Sequence, residues 1–390
     1  MSDYKDLFIR DDLADVGHIP SEAATACYSP DIIVWGEDIL PDPQVYLPAN
    51  YGSTWYNNVV ADRENYIYCR AKNLAPDART GRLYLYFAVA GALVDIATWS
   101  RNRIPTGIIG QDYINLSAQA GEVVAGDTAF QWLPPTGYGT HHCLVAQIVT
   151  DADPNPLPAS FPNTEAYVRW VLDNPAIAWR NIDVIASSGL PEYSNQVAFE
   201  NLEEAAREYL FVLRCRSVPK DTRIKMICPV FGPDPPIDVD QTTNKTSWSL
   251  ATPATLPPRF VGSVDISAKL APGVVWPPSA AITFEYYAII GAADSAYLRS
   301  RATPLSRLGL DLARRGDAAG AETAALRLGS YTVQTDRTGG VARRPPEVFM
   351  AHPAFRRKAT AAVSSAVCST SSMPMVLSLA PRRSRLAAMQ

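Results

Sequence analysis

Apolar and polar residues alternate with a period of two along several short runs of this chain. Leu83, Leu85, Phe87 and Val89 alternate with Arg82, Tyr84, Tyr86 and Ala88. Successive side chains of a strand point to opposite faces, so the first set shares one face of a predicted strand. Ile224, Met226, Cys228 and Val230 repeat that apolar face later in the chain. Both runs belong to a longer block, Glu64 to Gly91, that occurs twice. The first copy runs from Glu64 through Tyr66-Ile67-Tyr68-Cys69 to a turn rich in Pro, Asp and Gly, then on from Arg82. The second starts at Arg207, turns through Ser217-Val218-Pro219-Lys220-Asp221-Thr222 and continues from Arg223. β-Branched and aromatic runs bounded by turn residues predict strand–turn–strand in each copy. Tyr66 matches Tyr209 at an offset of 143 residues, and Arg82 matches Arg223 at 141. A near-constant offset over two strands reads as one unit written twice.

A third block extends the repeat. Trp132-Leu133-Pro134-Pro135 introduces the run Tyr138 to Ile148, and Trp276-Pro277-Pro278 introduces Ala281 to Ile290, at offsets of 144 and 142 residues. Ile32 to Trp35 reads as an early strand, with Ala178 to Ile185 as its counterpart. Trp99 to Gly126 reads as an irregular connection. Short strands and Pro- and Gly-rich turns on a period of ~140 residues predict an all-β chain with an antiparallel two-sheet sandwich in each half. The boundaries that follow are 1–150 for the first sandwich, 151–163 for a linker and 164–292 for a short helix plus the second sandwich. The helix is predicted from Thr164 to Asn174, with Thr164 as cap, Tyr167, Trp170 and Val171 on one face, Pro175 as stop, and a position between the two halves. Leu305, Leu308 and Leu312 have helical spacing, so 293–334 reads as helical or irregular. The Arg-rich tail 335–390 reads as disordered.

Charge changes this picture only at the end of the chain. From Ala296 onward there are 15 basic and 5 acidic residues, against 20 and 34 before it. An acidic folded body with a basic extension is the expectation, and Arg343, Arg344, Arg356, Arg357 and Lys358 are the candidate contacts for a nucleic acid or an acidic partner. No run of about 18 apolar residues is present to span a membrane as a helix. The opening Met-Ser-Asp-Tyr-Lys-Asp-Leu lacks a basic segment followed by an apolar one. The expectation is a cytoplasmic protein, or one exported by a route that does not use a signal peptide.

The blocks Tyr66-Ile67-Tyr68-Cys69-Arg70-Ala71-Lys72-Asn73, Arg82 to Gly91, and Gly139 to Ile148 resemble bacterial immunoglobulin-like modules of the adhesion-related, CARDB-like type. The resemblance covers most of Asp31 to Ile148 and, more loosely, Asn181 to Ile290. It implies two tandem immunoglobulin-like sandwiches and work in adhesion, spacing or assembly. It also raises a disulfide between Cys69 and Cys143. The alternation argues against that bond, because Leu144, Ala146 and Ile148 make the inward face and Cys143 then points the other way. The six cysteines form no C-x-x-C pair and read as reduced core residues.

Candidate chemistry is sparse. His141 and His142, next to Cys143, suggest a metal cluster, but adjacent strand residues diverge and would need a bulge to share an ion. A core-edge histidine is the plainer reading of His142, so no cofactor or metal is expected. The adjacent pairs Asp11-Asp12 and Glu203-Glu204 read as solvated surface. Trp35, Trp132, Trp179 and Trp276 read as packing residues, with a sugar-binding platform as the functional alternative. No nucleophile elbow, zinc-helix, P-loop or dinucleotide motif occurs. The expectation is a non-enzymatic protein for scaffolding, adhesion or assembly in a larger particle, phage-like or contractile-injection type included, with protein partners. The alternatives are a toxin or hydrolase with active residues in the loops Trp99–Gly126 or Asp234–Pro258, and a nucleic-acid binder acting through the tail.

Overall fold

The structure, a computed structural model, describes residues 2–334 except 22, 24–28, 56–58, 61–62, 90–95, 135–141, 183, 186–191, 229–236, 279 and 309–322. These residues form mostly antiparallel β-sheets with a few short helices. In the first half the elements are β1 (Leu7–Phe8), β2 (Ile32–Gly36), α1 (Pro43–Ala49), β3 (Asn65–Asn73), β4 (Arg79–Val89), α2 (Ile96–Trp99), β5 (Tyr113–Ala118), β6 (Val123–Ala125), β7 (Phe130–Trp132) and β8 (His142–Thr150). Then come α3 (Thr164–Leu172) and β9 (Ile177–Asn181). β3 is the hub of one sheet and pairs antiparallel with β1, β2, β6 and β7. The facing sheet has the order β9-β8-β4-β5. Between them lies a core of Leu7, Ile32, Ile67, Cys69, Leu83, Leu85, Leu116, Leu144, Ala146 and Ile148. The inward face of β4 and β8 is thus the one their period-two alternation predicts. Cys143 is buried on the opposite face, and Cys69 and Cys143 are free thiols.

The second half contributes β10 (Glu192–Glu200), β11 (Arg207–Arg216), β12 (Arg223–Ile227), β13 (Asp238–Thr242), β14 (Trp248–Leu256), β15 (Val261–Lys269), β16 (Ala281–Ile290), α4 (Ala296–Arg301) and β17 (Ala324–Gln334). One sheet has the order β10-β15-β12-β13. The other runs β14-β11-β16-β17 and continues through Val184–Ile185 to Val59–Val60 from the first half. β3 and β4 lie in opposite sheets, and so do their counterparts β11 and β12. The duplicated strand–turn–strand is therefore a crossing from one layer to the other in both halves.

Four sequence expectations are corrected. First, β9 does not open the second half. It pairs with β8, Cys143 opposite Asn181 and Gln147 opposite Ile177. Ala178 faces the first core while Ile177 and Trp179 face the other, and a strand buried on both faces belongs between two cores. Second, the third block of the repeat takes unlike partners: β8 pairs with β4, whereas β16 pairs with β11, the counterpart of β3. Third, 293–334 is not wholly helical or irregular, because β17 pairs along β16 with a bulge at Tyr286/Tyr287. Leu326 and Leu328 enter the core and Ala325 the opposite side, the two-sided alternation of a strand paired along β16. Fourth, both loops named for an active site carry strands: β5 and β6 lie in the first, β13 and β14 in the second.

α3 forms where the apolar spacing places it. Its cap is Asn163, not Thr164: the Asn163 side chain accepts a hydrogen bond from the Ala166 N–H at 2.8 Å. Tyr167, Val168, Val171 and Leu172 bury its inner face. They belong to one apolar cluster that continues from Tyr86, Val145 and Trp179 through Phe199 and Phe211 to Ile224 and Ile266. The helix therefore fills the seam between the two halves.

One buried ion cluster ties the N-terminal segment down, and one buried carboxyl strains it. Asp31 accepts from Arg10 at 2.6 and 2.9 Å and from Arg70 at 2.7 Å. Asp11 is not solvated surface: it is 3% exposed, and its Oδ1 has no hydrogen-bond partner among the described residues. Burial, then the charges of Asp15 and Asp12, push its carboxyl well above the ordinary value, against the Ser21 hydrogen bond and the charge of Arg301. The folded chain therefore keeps Asp11 protonated to a higher pH than the unfolded chain, which ionises it near 3.8. Stability from this group is complete below about pH 4 and is lost as pH rises toward the folded-state value. Asp11→Asn is expected to stabilise the protein at pH 7 by about 1–3 kcal/mol and to flatten the stability–pH profile above about pH 4. Urea unfolding at a series of pH values checks this; a parallel profile in the variant would refute it.

Candidate binding surface

The outer face of the β9-β8-β4-β5 sheet is built by the alternate residues of its strands. In register across β4, Thr80 lies opposite Ser117, Arg82 lies between Asn115 and Val149, and Tyr84 lies between Tyr113 and Gln147. Farther along β4 this face is closed. Tyr86 and Val145 are buried there, Tyr86 meets the Trp99 ring edge-on at 5.3 Å, and Trp99 meets Trp170 of α3 at 6.3 Å. The Tyr86 hydroxyl donates to Gln147 Oε1 at 2.7 Å, and Gln147 Nε2 donates to the Asn155 carbonyl at 2.6 Å. Burial pushes the Tyr86 hydroxyl up from its ordinary range. This closure stops at Tyr84.

Beyond it the face is open and carries alternating cations and rings. The Arg82 guanidinium lies 5.0 Å from the Tyr113 centroid, Tyr113 and Tyr84 are 5.8 Å apart, and Arg103 lies 4.6 Å from the Tyr84 centroid. Such contacts are worth about 0.5–1 kcal/mol each at exposed sites. Arg103 also donates to Asp112 at 2.8 Å, and that hydrogen bond, against some burial, holds its pKa above the ordinary value. A groove of about 520 Å³ adjoins the strip, lined by Thr80, Arg82, Asn115, Ser117, Val149 and Asp151 among others.

The groove floor is fixed from below. A Cβ on Gly81 would come within 2.9 Å of the Val149 carbonyl oxygen and 3.0 Å of Leu7 Cδ1, so a side chain at this position would push β4 off its neighbours. Thr150 donates to Asp6 at 2.5 Å, and the Thr150 N–H donates to the Asp153 carbonyl at 2.9 Å. These bonds hold the turn that presents Asp151 at the rim.

The residues singled out from sequence lie elsewhere. His142 sits in β8 opposite Val89, its side chain outside the described residues, as are His141, Arg343, Arg344, Arg356, Arg357 and Lys358. Among the described residues no three His, Cys, Asp or Glu side chains converge in a way that could hold a metal ion. Trp132 packs in the first core against Phe87 at 5.4 Å, and Trp179 packs against Tyr167 at 5.8 Å. Trp35 and Trp276 are half-buried, as are the tyrosines of the strip, Tyr84 and Tyr113. Their signal was present in the chain as polar and aromatic residues at every second position of β4 and β5, with the apolar residues in between.

No family model and no curated protein matches the chain. Among solved structures, a transglutaminase of red sea bream matches at 9% identity over 60% of this chain, with a TM-score of 0.18. The chain spans 28% of that protein's length. The adhesin CfaE of enterotoxigenic E. coli matches at 7% identity over 88% of this chain and 94% of its own, with a TM-score of 0.20. An anti-sigma factor domain-containing protein matches at 10% identity over 72% and 91%, with a TM-score of 0.18. These scores are below those of chains that share a fold, and nothing about binding follows from them.

Proposed function

We propose that this chain is a non-enzymatic contact protein, two tandem immunoglobulin-like sandwiches of the adhesion-related type that present a surface for adhesion or assembly. The strand layout of the first half supports the module: β2-β3-β7 faces β5-β4-β8-β9, and the chain crosses between layers from β3 to β4. The observation that carries the role is the open strip of Arg82, Tyr113, Tyr84 and Arg103 on a sheet face otherwise closed by α2 and α3. Tyr and Arg are enriched among the residues that contribute most at contact surfaces, Tyr because it combines area and polarity with few rotamers to lose, Arg because its planar guanidinium stacks and donates several hydrogen bonds. The buried charges do not offer spare reactive groups of this kind: Arg10, Asp31 and Arg70 are consumed by one another and by backbone carbonyls.

The test is a pull-down from the producing cells with the full chain, alongside a Tyr84→Ala/Arg103→Ala variant and a panel of hydrolase assays. The expected result is a specific complex that the variant holds at least about tenfold more weakly, with the fold retained by circular dichroism and no turnover. Turnover of any panel substrate, or capture that ignores the double substitution, would overturn the reading.

A further inference from the structure

The groove beside the strip has a composition that selects its ligand. Arg82 can only donate hydrogen bonds, Asp151 can only accept them, and Asn115, Thr80 and Ser117 can do both. All five side chains are exposed. Arg82 stacks on Tyr113 and makes no ion pair with another described residue, and Asp151 has no hydrogen-bond partner among them. The two charges cancel across the groove. A phosphate or sulfate would meet the Asp151 carboxylate, and an ammonium would meet Arg82. A neutral polyol meets neither penalty, because each hydroxyl both donates and accepts and can satisfy an obligate donor and an obligate acceptor together. Val149 and the aliphatic stem of Arg82, facing each other across β4 and β8, supply the apolar contact that the C–H face of a sugar ring requires. The volume, about 520 Å³, falls in the ~300–1,000 Å³ range of small-ligand sites.

From this chemistry we infer that the groove of Arg82, Asn115, Ser117 and Asp151 is a binding site for a neutral saccharide. The inference rests on the contact reading above and names the chemistry of what is contacted. The open face makes the site one for the end or the side of a longer glycan, with weak single-site affinity that several copies on a surface would multiply.

The test uses the full chain and titrates cellotriose, maltotriose and chitotriose, with oligogalacturonate and inorganic phosphate as charged probes, read by saturation-transfer NMR and calorimetry. Binding of at least one neutral trisaccharide is expected, with the charged probes weaker. Arg82→Ala and Asn115→Ala should each weaken it by about tenfold or more, since each removes hydrogen bonds to the ligand. Lys225→Ala, on the distant β12, should leave it unchanged, and all variants should stay folded, with melting temperatures within about 4 °C of the parent. Binding of none of the three neutral sugars, a preference for a charged probe, or indifference to both groove substitutions would overturn the inference. Cell-partner capture that survives Arg82→Ala and Asn115→Ala while sugar binding is absent would remove the saccharide and keep the contact role. Hydrolysis of the bound sugar would do the reverse.

Discussion

Asp31→Ala is expected to lower the unfolding free energy by about 3–5 kcal/mol, because it leaves two buried guanidinium groups without their carboxylate. Arg70 is fully buried. Its burial, the largest influence, pulls its pKa down against the attraction of Asp31. For Arg10 burial also opposes the charge, but the hydrogen bond and charge of Asp31 outweigh it and the net shift is upward. The substitution removes that compensation from both. Salt should change the loss little, since buried pairs are poorly screened. Urea unfolding at low and high sodium chloride measures both points, and a loss under about 1 kcal/mol would show that the cluster is not a structural pin. The arginines do more than pair. Arg10 donates to the Tyr51 carbonyl, and Arg70 donates to those of Pro30, Leu47, Asn50 and Ser53. A triple replacement, Arg10→Met, Asp31→Leu and Arg70→Met, should therefore fail to restore stability. Buried ion clusters can often be exchanged for apolar residues, but here the segment from Leu47 to Ser53 would lose its donors.

The second large effect is expected at Phe211→Ala, about 3–5 kcal/mol for an aromatic ring removed from a closed core. Phe211 is fully buried, meets Phe199 edge-on at 4.8 Å, and stacks on Phe284 and Tyr286 at 6.2 and 6.3 Å. The cavity would open inside the cluster that runs through α3 to Trp99 and Trp179. Loss of packing in the second half should then be felt in the first. Tryptophan fluorescence and far-UV circular dichroism should report one shared unfolding midpoint, shifted together by the substitution. Two separated midpoints would mean that the seam around α3 couples the halves only weakly.

The elements legible in the chain were those whose information is local. Leu83 and Leu85 on β4, and Leu144, Ala146 and Ile148 on β8, announce their inward face because alternation reflects which side is buried, and the same alternation turned Cys143 away from Cys69. α3 was legible from its apolar spacing, although its cap lay one residue earlier. The candidate surface was half legible. Arg82 and Tyr84 stood out as the polar phase of β4, but the matching phase in Tyr113, Asn115 and Ser117 sat inside a stretch read as irregular. Only the pairing of Arg82 with Asn115 brings the two together. Asp11 was misread for a related reason, since an acidic pair looks solvated until the segment around Ser21 folds over it.

What the amino-acid order determined by itself was the class of local structure: extended segments, their buried faces, the turns between layers and one helix. These follow from side-chain alternation and backbone restriction within a few residues. Which strand lies beside which was decided only by the assembled structure. β8 and β16 carry similar sequence signals yet choose different neighbours, and β17 formed within the segment 293–334, which reads locally as helical or irregular, by pairing along β16. Hydrogen bonds between strands join backbone groups that every sequence possesses. Their partners are therefore selected by the packing of whole faces, and the open groove exists where that packing stops.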